Sequence, residues 1–443
     1  MLKNLSYKTQ LYFVLILWLI LRLIQLDRSF SNDEFSAYFR FCDEKSFQHF
    51  IEFGVMPDGH PAGVQYFLWV WTSLFGWGEV VSRLPFAVAG VLALFFFYLA
   101  FEKWYNHKSA LLTIGLLAVL EMPIMYSQLA RPYAFGLLAI AIQLYFWVKL
   151  FVLGQRSWKN FVLLGLISVG SFYVHYMSAF VVVIILLSGL FYVKKEDVKK
   201  VVVISLLIIV LFLPHLDITL HHLSLGGLDW LGQPKLMDIW YVLVYPFNDS
   251  KVILIICLAS LILGMSVWKQ EKRWLPIVWF LIFLLVIYLK SVLGKPIMQH
   301  ALFIFVLPFL LITITSYKKW NYWWIGIIAM HTIFIRSYYE ETRYGNFESI
   351  AHQLESIREK IPVYADVNKA SYLEYYLGKR EVLYNVSEIK SIEKDSFYYA
   401  WCHKSRLHFD TSRYLVKDLH INLIPFSKGD WPIDGVQKIY LKP

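Results

Sequence analysis

The sequence predicts an α-helical polytopic membrane protein, on three observations. Of its 443 residues 58% are hydrophobic and only 17% are charged; a soluble domain averages about a quarter charged and under half apolar. Apolar runs recur near 10–26, 81–101, 109–127, 133–153, 161–174, 176–193, 201–214, 251–267, 275–290, 301–316 and 322–337, which makes about eleven candidate spans. The basic residues lie between these runs rather than in one patch. The net charge of +10 therefore speaks for membrane topology and against a nucleic-acid partner. Several runs are shorter than the roughly 20 residues a straight span needs. Short spans are tolerated where the protein thins the bilayer or lines a wet cavity.

The first run has no small-residue cleavage site after it, so it reads as a retained helix. Its flank carries Lys3 and Lys8, and alternate connections carry Lys103 and Lys108, Arg156 and Lys159, Lys194, Lys195, Lys199 and Lys200, Lys269, Lys272 and Arg273, and Lys318 and Lys319. The opposite short connections, 128–132 and 291–300, hold only Arg131 and Lys295. The positive-inside rule places the N-terminus in the cytoplasm, and an odd number of spans places the C-terminus outside the inner (plasma) membrane. The cytoplasmic loops are too short for a nucleotide-binding domain, and neither GxxxxGK[ST] nor GxGxxG occurs. An activated donor used on the outer face must then arrive attached to a lipid. Cys42, Cys257 and Cys402 form no CxxC; Cys42 and Cys402 fall on the same predicted side, where a disulfide is one option.

Two regions interrupt the spans. In the first outer loop, 27–80, Phe35, Phe39 and Cys42, then Phe47, Phe50 and Ile51, follow helical spacing. They predict interfacial helices lying flat with the apolar side down. Trp69, Trp71 and Trp77 follow as an aromatic belt. After about residue 338 the composition changes. An amphipathic helix over 346–361 and short strands at 363–367, 381–386, 397–402 and 437–443 predict a small extracytoplasmic α/β domain. The expected domains are thus 1–337 and 338–443.

The polar residues that could carry chemistry cluster on one membrane face. Asp33 and Glu34 follow the first span, and carboxylates are costly near lipid unless used. They suit proton abstraction from an acceptor or a hold on a divalent ion; the plain alternative is a surface pair capping the next helix at Ser31 or Asn32. In Asp58-Gly59-His60-Pro61, His60 could ligate a metal with Asp33 or Glu34, donate to a phosphate, or simply stand in a turn before a proline-started helix. Arg131 lies between two spans and suits bidentate phosphate binding, or snorkelling to headgroups. His175 with Tyr176, and Gln299 with His300, lie on the same side and could each be packed polar residues. His215, Asp217, His221 and His222 in HLDITLHH could bind metal or belong to an interfacial helix.

At these residues the chain resembles the GT-C glycosyltransferases, specifically the protein O-mannosyltransferase and lipid A aminoarabinose transferase superfamily. Bacterial members carry an acidic motif after the first helix, an HPP-like motif later in the first outer loop, and an S-Q-x-A-R-P-Y segment before the fourth helix. Here these read NDEFS (32–36), DGHPAG (58–63) and SQLARPY (127–133). YVHYMSAF (173–180) resembles a further HY element, and KPIMQHALFIFVLPFLL (295–311) the PRYLLFVLP stretch. The resemblance covers about residues 10–320. It implies a polyprenyl-phosphate-linked sugar donor, a divalent metal such as Mg, Mn or Zn, an acceptor glycan, lipid or protein, and transfer on the extracytoplasmic face with inversion. By motif position Asp33 is the catalytic carboxylate and Glu34 its assistant. His60 and Arg131 contact the donor phosphate or a metal site formed with Asp33 and Glu34. Tyr133, His175, Tyr176, Gln299 and His300 occupy the remaining motif positions as donor-phosphate contacts. Three residues depart from the pattern: Ala62 for a second proline, Leu129 for a glutamate, and Gln299 for an arginine. Two other functional classes fit many spans and a basic cavity: a lipid-linked oligosaccharide flippase or transporter, and a surface-polysaccharide polymerase or ligase.

Overall fold

The computed structural model describes residues 6–41, 46–225, 231–263, 272–317, 319–339, 347–356, 362–366, 371–377, 383–385, 396–401, 414–416 and 435–441. The chain divides into two compact units, Met1–Leu26 with Phe39–Tyr338, and Asp27–Tyr38 with Tyr339–Pro443. Segment 27–38, which the sequence assigned to a membrane loop, thus groups with the smaller unit.

In the larger unit every predicted apolar run carries a helix among its described residues. The helices are Tyr7–Leu23, Glu79–Trp104, His107–Val119, Tyr133–Phe151, Trp158–Val174, Tyr176–Leu190, Val198–Phe212, Lys251–Leu263, Leu275–Leu293, Leu307–Thr315 and Trp323–Met330. Among the described residues four stretches are individually long and apolar enough to cross a membrane: Glu79–Trp104, Tyr133–Phe151, Lys195–Leu225 and Leu275–Leu293. Two bent pairs qualify together, His107–Val119 with Glu121–Ser127 at 68°, and Leu236–Phe247 with Lys251–Leu263 at 96°. This is a multi-pass membrane protein. The run expected to stop at 214 continues helically to Leu225, because nothing in HLDITLHH breaks a helix.

Basic loops gather at one end of this unit. Arg273 Nε and Nη2 donate to the carbonyls of Trp104 and Tyr105 at 3.3 and 3.2 Å, and Lys272 Nζ to that of Phe151 at 2.7 Å. Lys200 Nζ donates to the Arg156 carbonyl at 2.8 Å, and buried Asp197 pairs with both cations.

The break at Leu120 has a physical cause. Leu120 is extended (ψ 139°), so the helix ladder stops there and leaves the last carbonyls of His107–Val119 without partners. The fully buried Arg22 supplies them: Nη1 donates to Ala118 at 2.6 Å and Nη2 to Leu117 at 3.1 Å. A cation there also suits the negative end of the helix dipole, and its guanidinium lies 4.0 Å over the Trp18 ring. On the far side of the break, Asn248 Oδ1 accepts the Glu121 N–H at 2.9 Å and starts the next helix. Arg22 Nε then reaches Ser127 Oγ at 3.0 Å, while Gln128 Nε2 donates to the carbonyls of Arg22 and Ile24. The turn after Ser127 is thereby tied to the first helix.

The smaller unit carries a five-stranded mixed sheet in the order β2-β1-β3-β5-β4, with β1 Val363–Asp366, β2 Leu383–Asn385, β3 Ser396–Trp401, β4 Tyr414–Val416 and β5 Gly435–Leu441. β1 pairs parallel with β2 and β3 (Val363 opposite Leu383 and Tyr398); β5 pairs antiparallel with β3 and β4 (Lys438 opposite Tyr398, Tyr440 opposite Leu415). Sequence reading missed the Ser371–Leu377 helix and β4, both too short to display a period. The Phe347–Ser356 helix buries Phe347, Ile350, Ala351 and Leu354, the i, i+3, i+4, i+7 stripe of an amphipathic helix. The Asn32–Phe41 helix corrects one expectation. Phe35 is not laid on lipid: it is fully buried, stacked at 4.9 Å on Tyr372 and edge-on to Phe347 at 5.4 Å. The proposed pairing of Cys42 with Cys402 lies outside the described residues, and Cys257 is a buried free thiol.

Candidate active site

The segment DGHPAG uses each residue for a physical reason. Gly59 takes φ +73°, a conformation other residues rarely adopt. Pro61 caps the helix Ala62–Phe75, where its lack of an N–H costs nothing. A Cβ on Gly63 would stand 2.5 Å from the Tyr173 carbonyl oxygen, so only glycine lets this helix start so close to the Trp158–Val174 helix. Gly63→Ala is expected to displace the loop and cost about 1–3 kcal/mol. The check is the thermal midpoint of the variant in detergent; an unchanged midpoint contradicts the close approach.

Asp58 is the centre of the resulting cluster. Arg40 Nη1 lies 2.7 Å and Arg131 Nη2 3.4 Å from its Oδ1, and His60 Nδ1 lies 3.5 Å from its Oδ2. Gln65 Nε2 donates to Oδ2 by a short hydrogen bond. Burial alone would raise the Asp58 pKa, but Arg131, then His60, then Arg40 outweigh it and hold the carboxyl well below the usual range. Asp58 is therefore ionised at neutral pH. Its contacts within this unit set two guanidiniums and an imidazole around one carboxylate, an arrangement suited to receiving a second anion.

His60 Nδ1 is also 3.3 Å from Arg131 Nη2. Nδ1 thus stands between the Asp58 carboxylate and the Arg131 guanidinium. His175 packs edge-on to His60 at 5.2 Å, and its Nδ1 accepts the Met177 N–H at 3.0 Å. Burial first, then His60 and Arg131, push the His175 pKa well down despite Asp58, so the ring stays neutral. Tyr133 leads the helix Tyr133–Phe151 and meets Tyr126, His175 and Phe305 ring to ring. The structure thus brings His60, Arg131, Tyr133 and His175 together.

Tyr176 faces elsewhere, toward His222 Nδ1 at 2.8 Å. Gln299 precedes the short helix His300–Phe305, and His300 packs on Tyr245 at 4.0 Å. Sequence reading noted Asp58 only as part of a motif and passed over Arg40, Gln65 and Arg22. The signal for Arg40 was faint: it is the one basic residue of the Asn32–Phe41 helix, which also carries Asp33 and Glu34.

In the smaller unit the acidic pair divides its labour. The Ser31 N–H donates to Glu34 Oε2 at 2.9 Å, and the Glu34 N–H donates to Ser31 Oγ at 3.2 Å. This reciprocal capping box starts the Asn32–Phe41 helix. Glu34 is buried and Asp33 exposed.

The donor set does not make a metal cage. Among the described residues no three His, Cys, Asp or Glu side chains gather for an ion. His60 Nδ1 faces a guanidinium, and one oxygen of Glu34 is committed to the capping box. In HLDITLHH both nitrogens of His215 and of His222 are hydrogen-bonded. Metal ligation there is thereby corrected.

Residues 59–217 match the family model of dolichyl-phosphate-mannose-protein mannosyltransferase. Among solved structures the chain is similar to ArnT from Cupriavidus metallidurans bound to undecaprenyl phosphate, at 11% identity and TM-score 0.57 over 97% of both chains. The apo state of that protein matches over the same share with TM-score 0.56. The chain has the GT-C fold. The Archaeoglobus fulgidus oligosaccharyltransferase in complex with Zn and sulfate is 10% identical over 87% of this chain and 68% of that one, with TM-score 0.42. No curated protein matches the chain. In this GT-C protein the family-matched stretch opens one residue after Asp58 and contains His60, Arg131, Tyr133, His175 and His215; Asp33, Glu34 and Arg40 precede it.

Proposed function

We propose that this protein is a membrane glycosyltransferase that moves a sugar from a polyprenyl-phosphate-linked donor to an acceptor glycan, lipid or protein at the extracytoplasmic face of the plasma membrane. One observation carries the reading. Arg40, Arg131 and His60 converge on Asp58, beside the start of the Tyr133–Phe151 helix whose far end meets Lys272. The fold and the family-model match over 59–217 support the same class of chemistry.

The reaction is a direct displacement. An acceptor hydroxyl attacks the anomeric carbon, the bond from that carbon to the phosphate oxygen breaks, and the configuration inverts. The leaving polyprenyl phosphate gains negative charge, which Arg131, Arg40 and His60 stabilise. Asp33 takes the acceptor proton as general base. Tyr133 and His175 wall the phosphate site with neutral rings; Tyr176, Gln299 and His300 act farther from it. None of these steps is routed through the divalent ion expected on Asp33, Glu34 and His60. The N-terminus is cytoplasmic by the charge of the basic loops, and the smaller unit extracytoplasmic.

The test is direct. Purified protein in nanodiscs, given radiolabelled undecaprenyl-phosphate sugars and cell-envelope acceptors, is expected to release undecaprenyl phosphate and label an acceptor. Movement of the lipid across the bilayer with no sugar transfer would instead establish a flippase.

A further inference from the structure

The loop that carries Asp58 and His60 is held at both ends by one hydrogen-bonded chain. At its far end the Ala62 N–H donates to His215 Nε2 at 3.0 Å. With Nε2 accepting, His215 carries its proton on Nδ1, which lies 2.9 Å from Thr219 Oγ1. At the near end the Val55 carbonyl can only accept, so His222 Nε2, at 3.2 Å, is the donor. Nδ1 of His222 then accepts from the Tyr176 hydroxyl at 2.8 Å. The two halves meet where Tyr176 Oη lies 3.4 Å from Thr219 Oγ1. His215 is 1% and His222 8% exposed. The His215 ring is further fixed between Phe212 at 5.5 Å and Tyr173 at 5.0 Å.

We infer that His215, Thr219, Tyr176 and His222 are positioning residues that clamp Val55 to Ala62 and so set Asp58 and His60 in place for the lipid phosphate. This rests on the proposed function for its ligand, though not for its geometry. The seven-residue spacing of the two histidines puts them on one face of a helix about two turns apart. A loop closed by that face has little freedom left between its ends. A phosphate site assembled from Asp58, His60, Arg40 and Arg131 needs such a fixed loop, since small misplacements of a charged group are costly in function.

Two readouts on the full chain in nanodiscs separate this inference from the functional reading. The first is hydrogen–deuterium exchange of peptides covering 55–65. The second is the affinity for undecaprenyl phosphate itself. His215→Ala is expected to raise exchange there at least tenfold and weaken undecaprenyl phosphate about tenfold, the effect of losing about 1.4 kcal/mol. His215→Gln, whose amide oxygen can accept the Ala62 N–H, is expected to recover most of both. Tyr176→Phe cuts the chain in its middle with little change of packing; it serves if His215→Ala fails to fold, and is expected to loosen the same peptides. Unchanged exchange in His215→Ala or Tyr176→Phe overturns the clamp. Raised exchange with unchanged affinity overturns its role at the phosphate. A protein with no transferase activity that still shows the exchange pattern would lose the functional reading and keep the clamp.

Discussion

Replacing Arg131 by alanine is expected to lower transfer, as kcat/KM, by a hundred- to a thousandfold and to weaken undecaprenyl phosphate to a similar degree. Removing one partner of a buried charge cluster costs about 2–5 kcal/mol, which covers that range. Arg131 is buried and meets both Asp58 and His60 through Nη2. Without it Asp58 keeps Arg40, so the loop does not lose every counter-charge. Arg131→Lys is expected to recover only part of the loss, because an ammonium cannot bridge a carboxylate and a phosphate with a planar fork. The measurements are radiolabel transfer and lipid-phosphate affinity, with the thermal midpoint as a control for folding. A variant that binds and transfers like the parent would show that Arg131 only packs its turn.

Asp33→Asn is expected to abolish transfer, by about 10²–10⁴-fold if it removes the general base, with expression and membrane insertion normal. Its neighbour supplies the internal comparison. Glu34 is buried in a capping box with Ser31, and glutamine serves as well as glutamate at that position. Glu34→Gln is therefore expected to keep the fold and most of the activity, while Asp33→Asn keeps the fold and loses activity. Retained transfer in Asp33→Asn removes Asp33 from the mechanism. Loss in Glu34→Gln with an unchanged thermal midpoint returns Glu34 to the chemistry.

Much of the architecture was legible because hydrophobic runs are local. A stretch such as Tyr133–Phe151 or Leu275–Leu293 announces its helix by composition alone. The motifs were legible as words: NDEFS, DGHPAG, SQLARPY. Their internal division of labour was not. In SQLARPY, Ser127 and Gln128 turn out to serve Arg22 and the first helix, and Arg131 meets Asp58. In NDEFS, Glu34 caps a helix and Phe35 fills the core of the smaller unit. Both phenylalanine and glutamate there read equally well as surface features, since periodicity tells which face is apolar and never what lies against it.

The sequence by itself determined that the chain is a set of membrane helices with basic residues in alternate connections. Those properties depend on composition and spacing over a few turns, which solvent and bilayer read directly. Only the tertiary structure decided that Asp58, with Arg40 and Gln65, is the centre around which His60 and Arg131 gather, and that His215 and His222 hold a loop instead of an ion. The contacts of Arg131, His215 and His222 among them join residues some 70 to 170 positions apart. Such contacts form through packing that no local pattern encodes, and a histidine's role is fixed only when the partners of both its nitrogens are known.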